Sequence, residues 1–199
     1  MNNEKQKHID NGDYVFSFNN GDYIYRKDGV DHLIRDGKEI ASSESVWSFD
    51  NGDYRYEKDG VYHLIRAGQE IASGEDVFSY VNGEYSYKKD GVDHLIRAGK
   101  EIASGDDVWS YYNGDYDYKK DGVEYLIRAG KEIASGDSVY SYDNGDYKYK
   151  KDGVEYLLRA GQEIASGESV HSYDNGDYKY EKDGVEYLMN KEGEPIKKR

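Results

Sequence analysis

The chain has 199 residues, 36% of them hydrophobic and 34% charged, with 23 tyrosines, 23 glycines, a single proline and no cysteine. Its length suits one domain or one continuous repeat array. The aromatic fraction of 15% sets it apart from disordered chains of similarly low apolar content, and a net charge of −14 repels a phosphate backbone, which argues against nucleic acid as a partner. Without cysteine there is no disulfide framework and no thiolate metal site. Residues Met1 to Lys7 lack the apolar stretch of a signal peptide, and no window approaches the roughly 18 apolar residues of a membrane span. These features lead to the expectation of a soluble chain with no membrane partner, placed in the cytoplasm. Lys197-Lys198-Arg199, the one basic run, reads as a solvated terminus.

Self-similarity dominates everything else. Asn-Gly-(Asp or Glu)-Tyr begins at Asn20, Asn51, Asn82, Asn113, Asn144 and Asn175, each 31 residues after the last, with no insertion between copies. Val15, Val46, Val77, Val108, Val139 and Val170 keep the same step, as do Leu33, Leu64, Leu95, Leu126, Leu157 and Leu188. Residues 1–199 therefore form a single repeat domain of six units. Such uniformity implies recent duplication or deliberate consensus design.

The chain starts within a unit: Lys7-His8-Ile9 aligns with Lys38-Glu39-Ile40, which places an N-terminal strand within residues 1–14. In the second copy, Val46-Trp47-Ser48-Phe49-Asp50 reads as a first strand rich in β-formers. Asn51-Gly52 then predicts a type I′ hairpin turn, with positive φ at both residues. Asp53 to Lys58 forms a second strand in which Tyr54 and Tyr56 alternate with Arg55 and Glu57. Asp59-Gly60 is the next tight turn, Val61 to Arg66 a third strand, Ala67-Gly68 another turn, and Gln69 to Ser73 a short fourth strand. The sixth copy runs normally to Met189 and diverges over residues 190–199. Either the N-terminal strand completes the sixth sheet and closes a ring, or Ile196 supplies a fourth strand after a one-residue slip, with Pro195 blunting the edge.

Apolar residues occupy both faces of the first and third strands. Sheets must then stack on sheets, because a single layer with one wet face would alternate throughout. Each unit is a four-stranded antiparallel meander covered by its neighbours. The pattern Val-x-Ser-x-x-Asn-Gly-x-Tyr-x-Tyr-x-Lys-Asp-Gly-Val, followed by Leu-Ile-Arg-x-Gly-x-Glu-Ile, resembles bacterial WD-repeat-like β-propeller blades over residues 7–196. Those blades run to about 40–45 residues and carry Gly-His and Trp-Asp pairs, and neither feature is present here. The resemblance implies an all-β fold and a six-bladed β-propeller. The whole-number repeat count and the N-terminal match favour that ring over an open stacked β-solenoid.

No set of residues points to catalysis. His32, His63 and His94 share one repeat position, filled later by Tyr125, Tyr156 and Tyr187. Exchange with tyrosine suits a flat amphipathic ring rather than a metal ligand. The acid pairs Glu75-Asp76 and Asp106-Asp107, like the run Asp50-Asn51-Gly52-Asp53, lack calcium-loop spacing and read as turn chemistry. Nearly interchangeable copies also leave no single asymmetric constellation for a reaction. The expectation is a non-enzymatic chain without cofactor or metal.

Two columns of rings stand out: Phe16, Trp47, Phe78, Trp109, Tyr140 and His171, and Phe18, Phe49, Tyr80, Tyr111, Tyr142 and Tyr173. Their plain role is packing between sheets. Their functional role would be a row of aromatic platforms, with Trp47, Phe78, Trp109, Tyr140, Asp50 and Tyr112 as the candidate ligand-binding residues. The column Ile24, Arg55, Ser86, Asp117, Lys148 and Lys179 varies without pattern and reads as solvated face. The favoured function is a non-catalytic scaffold for protein binding or structural presentation. The alternatives are a multivalent carbohydrate-binding lectin with one site per repeat, or a designed or amplified repeat protein without an evolved ligand.

Overall fold

The computed structural model describes residues 14–196. The strand expected within residues 1–14, apart from Tyr14, and the basic tail lie outside the described residues. Six antiparallel sheets follow one another over residues 14–43, 46–74, 76–105, 107–136, 138–167 and 169–189. The first five have four strands in sequential order, and the sixth has three. The chain divides into two compact units, Met1–Ile102 and Ala103–Arg199, with the boundary inside the strand Lys100–Gly105.

The second sheet shows the local logic. Its strands are Val46–Ser48, Tyr54–Lys58, Val61–Arg66 and Gln69–Gly74. Asp59-Gly60 and Ala67-Gly68 form the expected tight turns, with φ of 54° and 78° in the first and 49° and 77° in the second. The Asn-Gly turn differs from expectation. Gly52 has φ 89°, but Asn51 is not left-handed. The Gly52 N–H donates to the Phe49 carbonyl and the Phe49 N–H to the Asp53 carbonyl, which makes a three-residue loop, Asp50-Asn51-Gly52. The reason lies in the asparagine side chain. Its Oδ1 accepts the Asp53 N–H at 2.9 Å while its Nδ2 reaches the next sheet, and a type I′ turn would aim it elsewhere. Between the third and fourth strands the register shifts at Leu64/Ile65. Such a bulge adds one residue to one strand of the pair, here Ile71, which packs in the core.

Within each unit the sheets bury one another's faces, as the two-sided apolar pattern implies. In the first unit Leu33 and Ile24 of one sheet meet Val46 of the next, and Phe49 and Leu64 meet Val77. In the second unit Leu126 and Tyr111 meet Val139 and Tyr147, and Leu157 and Tyr142 meet Val170 and Tyr178. Leu33, Leu64, Leu95, Leu126 and Leu157 have no exposed surface at all. Leu188, on the last sheet, is only half-buried.

A buried polar network runs through the same interfaces. Asp53 is 3% exposed and takes a forked bond from Arg66 of its own repeat, at 3.0 and 2.6 Å. It also accepts the hydroxyl of Ser79 from the next repeat. Asn51 Nδ2 donates to Ser79 Oγ at 2.7 Å and to the Tyr80 carbonyl at 2.9 Å. Arg66 then continues to the Gly83 carbonyl at 3.0 Å and lies over the Tyr85 ring at 5.7 Å. The same set recurs as Asn20, Asp22, Arg35 and Ser48, as Asn113, Asp115, Arg128 and Ser141, and as Asn144, Asp146, Arg159 and Ser172. Glu84 replaces the aspartate in the third repeat and pairs with Arg97. Burial alone would raise the Asp22 and Asp146 pKa values. The bonds from arginine and serine and the arginine charge outweigh it and hold both below the ordinary 3.8.

The array ends by changing this set. Asn190 stands where arginine would, and Asp177 instead accepts the Lys191 N–H at 3.2 Å. The Asn190 N–H donates to the Glu194 carbonyl and the Gly193 N–H to the Asn190 carbonyl, repeating the three-residue turn of the earlier copies. The chain then returns along the sixth sheet, with Met189 bridging Pro195 and the Ile196 N–H donating to the Leu188 carbonyl.

Two stability predictions follow from the strained turn and the buried acid. Ala67, Ala98, Ala129 and Ala160 hold φ of 49–50°, a region costly for alanine, while Asp36 fills that turn position in the first repeat. Ala67→Asn is expected to stabilise the protein by about 0.5–1 kcal/mol, read as a higher Tm by calorimetry. Asp53→Ala leaves Arg66 and Asn51 without their acceptor and is expected to destabilise by about 3–5 kcal/mol in denaturant unfolding. The depressed acids have the matching pH signature: the stability contributed by Asp22 and Asp146 is complete above pH 3.8 and is lost as pH falls through their folded values.

Candidate functional site

The first strand of each sheet carries the ring column. In the second sheet Val46 and Ser48 point into the interface at 3% and 2% exposure, so the alternating Trp47 points away and keeps 42% of its surface exposed. Phe16 and Phe78 are similarly half-exposed in the first unit, and Trp109, Tyr140 and His171 in the second. The second ring column sits just past the strand end and is mostly buried: Phe49, Tyr80, Tyr111 and Tyr142 all fall at 8% exposure or less. Tyr173, on the last sheet, is exposed.

The two columns interlock. Phe16, Phe18 and Trp47 lie 5.0–5.7 Å apart in the first unit, where Phe78 also packs between Phe49 and Tyr80. In the second unit Tyr111, Tyr140, Tyr142, His171 and Tyr173 form a zigzag with successive centroids 4.8–5.5 Å apart, mostly edge to face. Each ring of the first column is thus fixed on one side by its neighbours and open on the other. Of the remaining sequence-derived candidates, Asp50 is exposed at the loop tip and accepts from Asn19 Nδ2 at 3.5 Å, and Tyr112 occupies the equivalent tip at 70% exposure.

In the second unit the row borders an open pocket of ≈ 470 Å³ lined by Tyr140, Tyr142, Asp143, Lys148, His171, Ser172, Tyr173 and Asp174. Tyr140 is the one sequence-derived candidate in it. His171 was read only as a member of the ring column and Lys148 only as solvated face, and Asp143 and Asp174 were not singled out, although they are the register equivalents of Asp50 and Tyr112. Lys148 Nζ donates to Glu155 at 3.1 Å. Burial, with the charges of Lys179 and Lys148, holds the His171 imidazole below its ordinary pKa of 6.5.

The column that includes Ile24 and Asp117 corrects the expectation of a solvated face. Ile24 and Ser86 are buried, and Arg55 Nη1 bonds Asp76 at 2.5 Å and the Val77 carbonyl at 2.7 Å. These are central residues of the second strand, directly opposite the ring column: Trp47 pairs with Arg55, Trp109 with Asp117 and Tyr140 with Lys148. Asp117 accepts the Tyr111 hydroxyl at 2.5 Å. Burial, with the charges of Glu124 and Asp107, outweighs that bond and pushes Asp117 up to about 7. Tyr111 is pushed up by burial and by Asp117.

The histidine column is stacked rather than gathered. His32, His63 and His94 lie parallel to Tyr25, Tyr56 and Tyr87 at 4.7–5.1 Å and each bonds a glutamate. Tyr125, Tyr156 and Tyr187 repeat the stack on Tyr118, Tyr149 and Tyr180. No group of three or more His, Asp or Glu among the described residues is placed to hold a metal ion. No helix among them is long and apolar enough to cross a membrane.

No protein-family model matches the sequence, and no curated protein does. Among solved structures the chain is similar to the WD40 β-propeller domain of Doa1, at 16% identity and a TM-score of 0.36 over 79% of this chain and 71% of that one. It is similar to Kluyveromyces lactis Hsv2 at 11% identity and a TM-score of 0.46, over 89% and 74% of the two chains. A protein of unknown function from Bacteroides caccae matches at 10% identity and a TM-score of 0.31, over 84% and 88%. The fold is defined by the strand order and registers of the six sheets.

Asp117 supplies the test of this electrostatic reading. In the unfolded chain it ionises above pH 3.8, whereas the folded chain holds its proton to about 7, so its contribution to stability declines across that interval. Asp117→Asn is expected to stabilise the protein at pH 8 by on the order of 1–2 kcal/mol and to change little at pH 4, measured by urea unfolding at both values.

Proposed function

We propose that the chain is a non-catalytic repeat scaffold that binds protein partners through the exposed rings that the first strands carry within each unit. The observation that carries this reading is the half-exposed ring held at one register position in sheet after sheet, from Phe16 and Trp47 to Trp109 and Tyr140. A side chain that costs apolar exposure in every copy is kept for contact, and aromatic residues on a rigid frame are the usual anchors of protein interfaces. The rings are held by edge-to-face neighbours, so little side-chain entropy remains to be lost on binding.

The partner chemistry follows from the surroundings. Asp50, Asp143 and Asp174 stand at the loop tips beside the row, and the whole chain carries a charge of −14. An extended peptide with apolar anchors and basic side chains suits both, and the acidic field would steer it in. A strand-like peptide also presents side chains at regular intervals to a surface that itself repeats, which allows weak contacts to add through avidity.

Panning of a random phage-displayed peptide library against the whole chain tests this. Enrichment of sequences combining aromatic and basic residues is expected, with affinity weakened about 30-fold or more by Trp47→Ala and falling with added salt. Failure to enrich any peptide family, or enriched peptides indifferent to Trp47→Ala and Trp109→Ala, would sink the reading.

A further inference from the structure

We infer that the pocket between the fifth and sixth sheets is a carbohydrate site that takes one pyranose ring per chain. The inference goes beyond protein scaffolding, and it rests on the second unit alone. A volume of ≈ 470 Å³ accommodates a small ligand, and the lining combines ring faces with charged groups of both signs. Tyr140 and Tyr173 offer partly exposed ring surface for the C–H face of a sugar. The carboxylates of Asp143 and Asp174 accept hydroxyl protons, as acceptor-only groups do. Lys148 already donates to Glu155, and its ammonium has further protons for a sugar oxygen. The His171 ring stays uncharged near neutral pH and packs as a third wall.

The charges select against other small ligands. Two flanking carboxylates repel an anion, and Lys148, with Lys179 directly opposite His171 on the neighbouring strand, disfavours a bare cation. A neutral polyol meets both kinds of group at once, with donors for the acids and acceptors for the lysine.

The repeat columns explain why there is one site and not six. The loop-tip position reads Asn19, Asp50, Val81, Tyr112, Asp143 and Asp174, so only the last two repeats place acids at consecutive tips. The ring position reads Phe16, Trp47, Phe78, Trp109, Tyr140 and His171, so the smallest ring of the column lines this pocket. Residues that earlier repeats carry at the same positions would fill or neutralise it. Tryptophan at 171 would occupy the space, and valine at 174 would remove one acceptor.

Those two substitutions form the test, because the fold already tolerates tryptophan at 109 and valine at 81. The full chain is applied to an array of immobilised glycans and then titrated calorimetrically with methyl glycosides of glucose, galactose, mannose and N-acetylglucosamine. Expected are array binding and a titration with one sugar per chain. His171→Trp and Asp174→Val should each weaken both by about tenfold or more, with unchanged thermal unfolding. Binding on the array without a response to any free glycoside supports the site only if His171→Trp abolishes it, which would identify an attached glycan as the source. Silence on the array and in the titrations overturns the inference, as does a stoichiometry of several sugars per chain or full binding by His171→Trp. Trp47→Ala should leave sugar binding intact, so loss of peptide binding in that variant reports on the scaffold reading separately.

Discussion

The structure depends on a carboxylate that a single repeat cannot satisfy. Asp22, Asp53, Asp115 and Asp146 lie at 2–3% exposure, where an unpaired charge would cost several kcal/mol. Each receives its arginine from the same repeat and its serine hydroxyl from the next. One meander alone would hold a half-dressed acid, and stacking the next meander completes it. The asparagine beside it works in the same direction, with its oxygen closing the local turn and its nitrogen anchored in the neighbouring sheet. A shift of one residue would turn the buried Leu64 to the wrong face together with the serine, so the apolar contacts and the charged network specify the same register.

The spacing of the repeat leaves little chain for anything else. Two tight turns and one three-residue loop join the strands, and even the linkers are pressed against the sheets. A β-carbon on Gly74 or Gly136 would overlap the Lys88 or Lys150 carbonyl oxygen, so something would have to shift. Ser43, at the same register in the first repeat, turns its hydroxyl onto the Glu57 carbonyl. Three of the columns that vary between copies are the ring, the loop tip and the residue opposite the ring. Those are the columns that shape the row and the pocket.

Much of this was legible in the sequence, and what was missed shares one cause. The repeat, the meander, the Asp-Gly and Ala-Gly turns and the buried leucine column followed from spacing and periodicity. Asn51-Gly52 was read by its short-range preference, yet Asn51 answers to Ser79 and Tyr80 in the next copy. The pairing of Arg66 with Asp53 was not read from the sequence, because it joins the second strand's start to the third strand's end. Asp117 and Ile24 looked solvent-facing because the variety in their column resembled neutral drift. Each position sits opposite a ring, and Arg55 and Asp117 find their partners in Asp76 and Tyr111. The aromatic row itself was visible as Trp47, Phe78, Trp109 and Tyr140. The acids that turn one stretch of it into a pocket needed the adjacency of two sheets to be seen.

The junction chemistry has a genetic corollary. At the junctions of Asn20, Asn51, Asn113 and Asn144, asparagine meets serine 28 residues downstream, and the neighbouring aspartate meets the same serine at 26. Any in-frame loss or gain of one whole copy by slippage between near-identical DNA segments therefore re-creates a complete junction, with no orphaned acid left behind. A change by one whole copy keeps both spacings, whereas a change by part of a copy would separate the aspartate and asparagine from their serine.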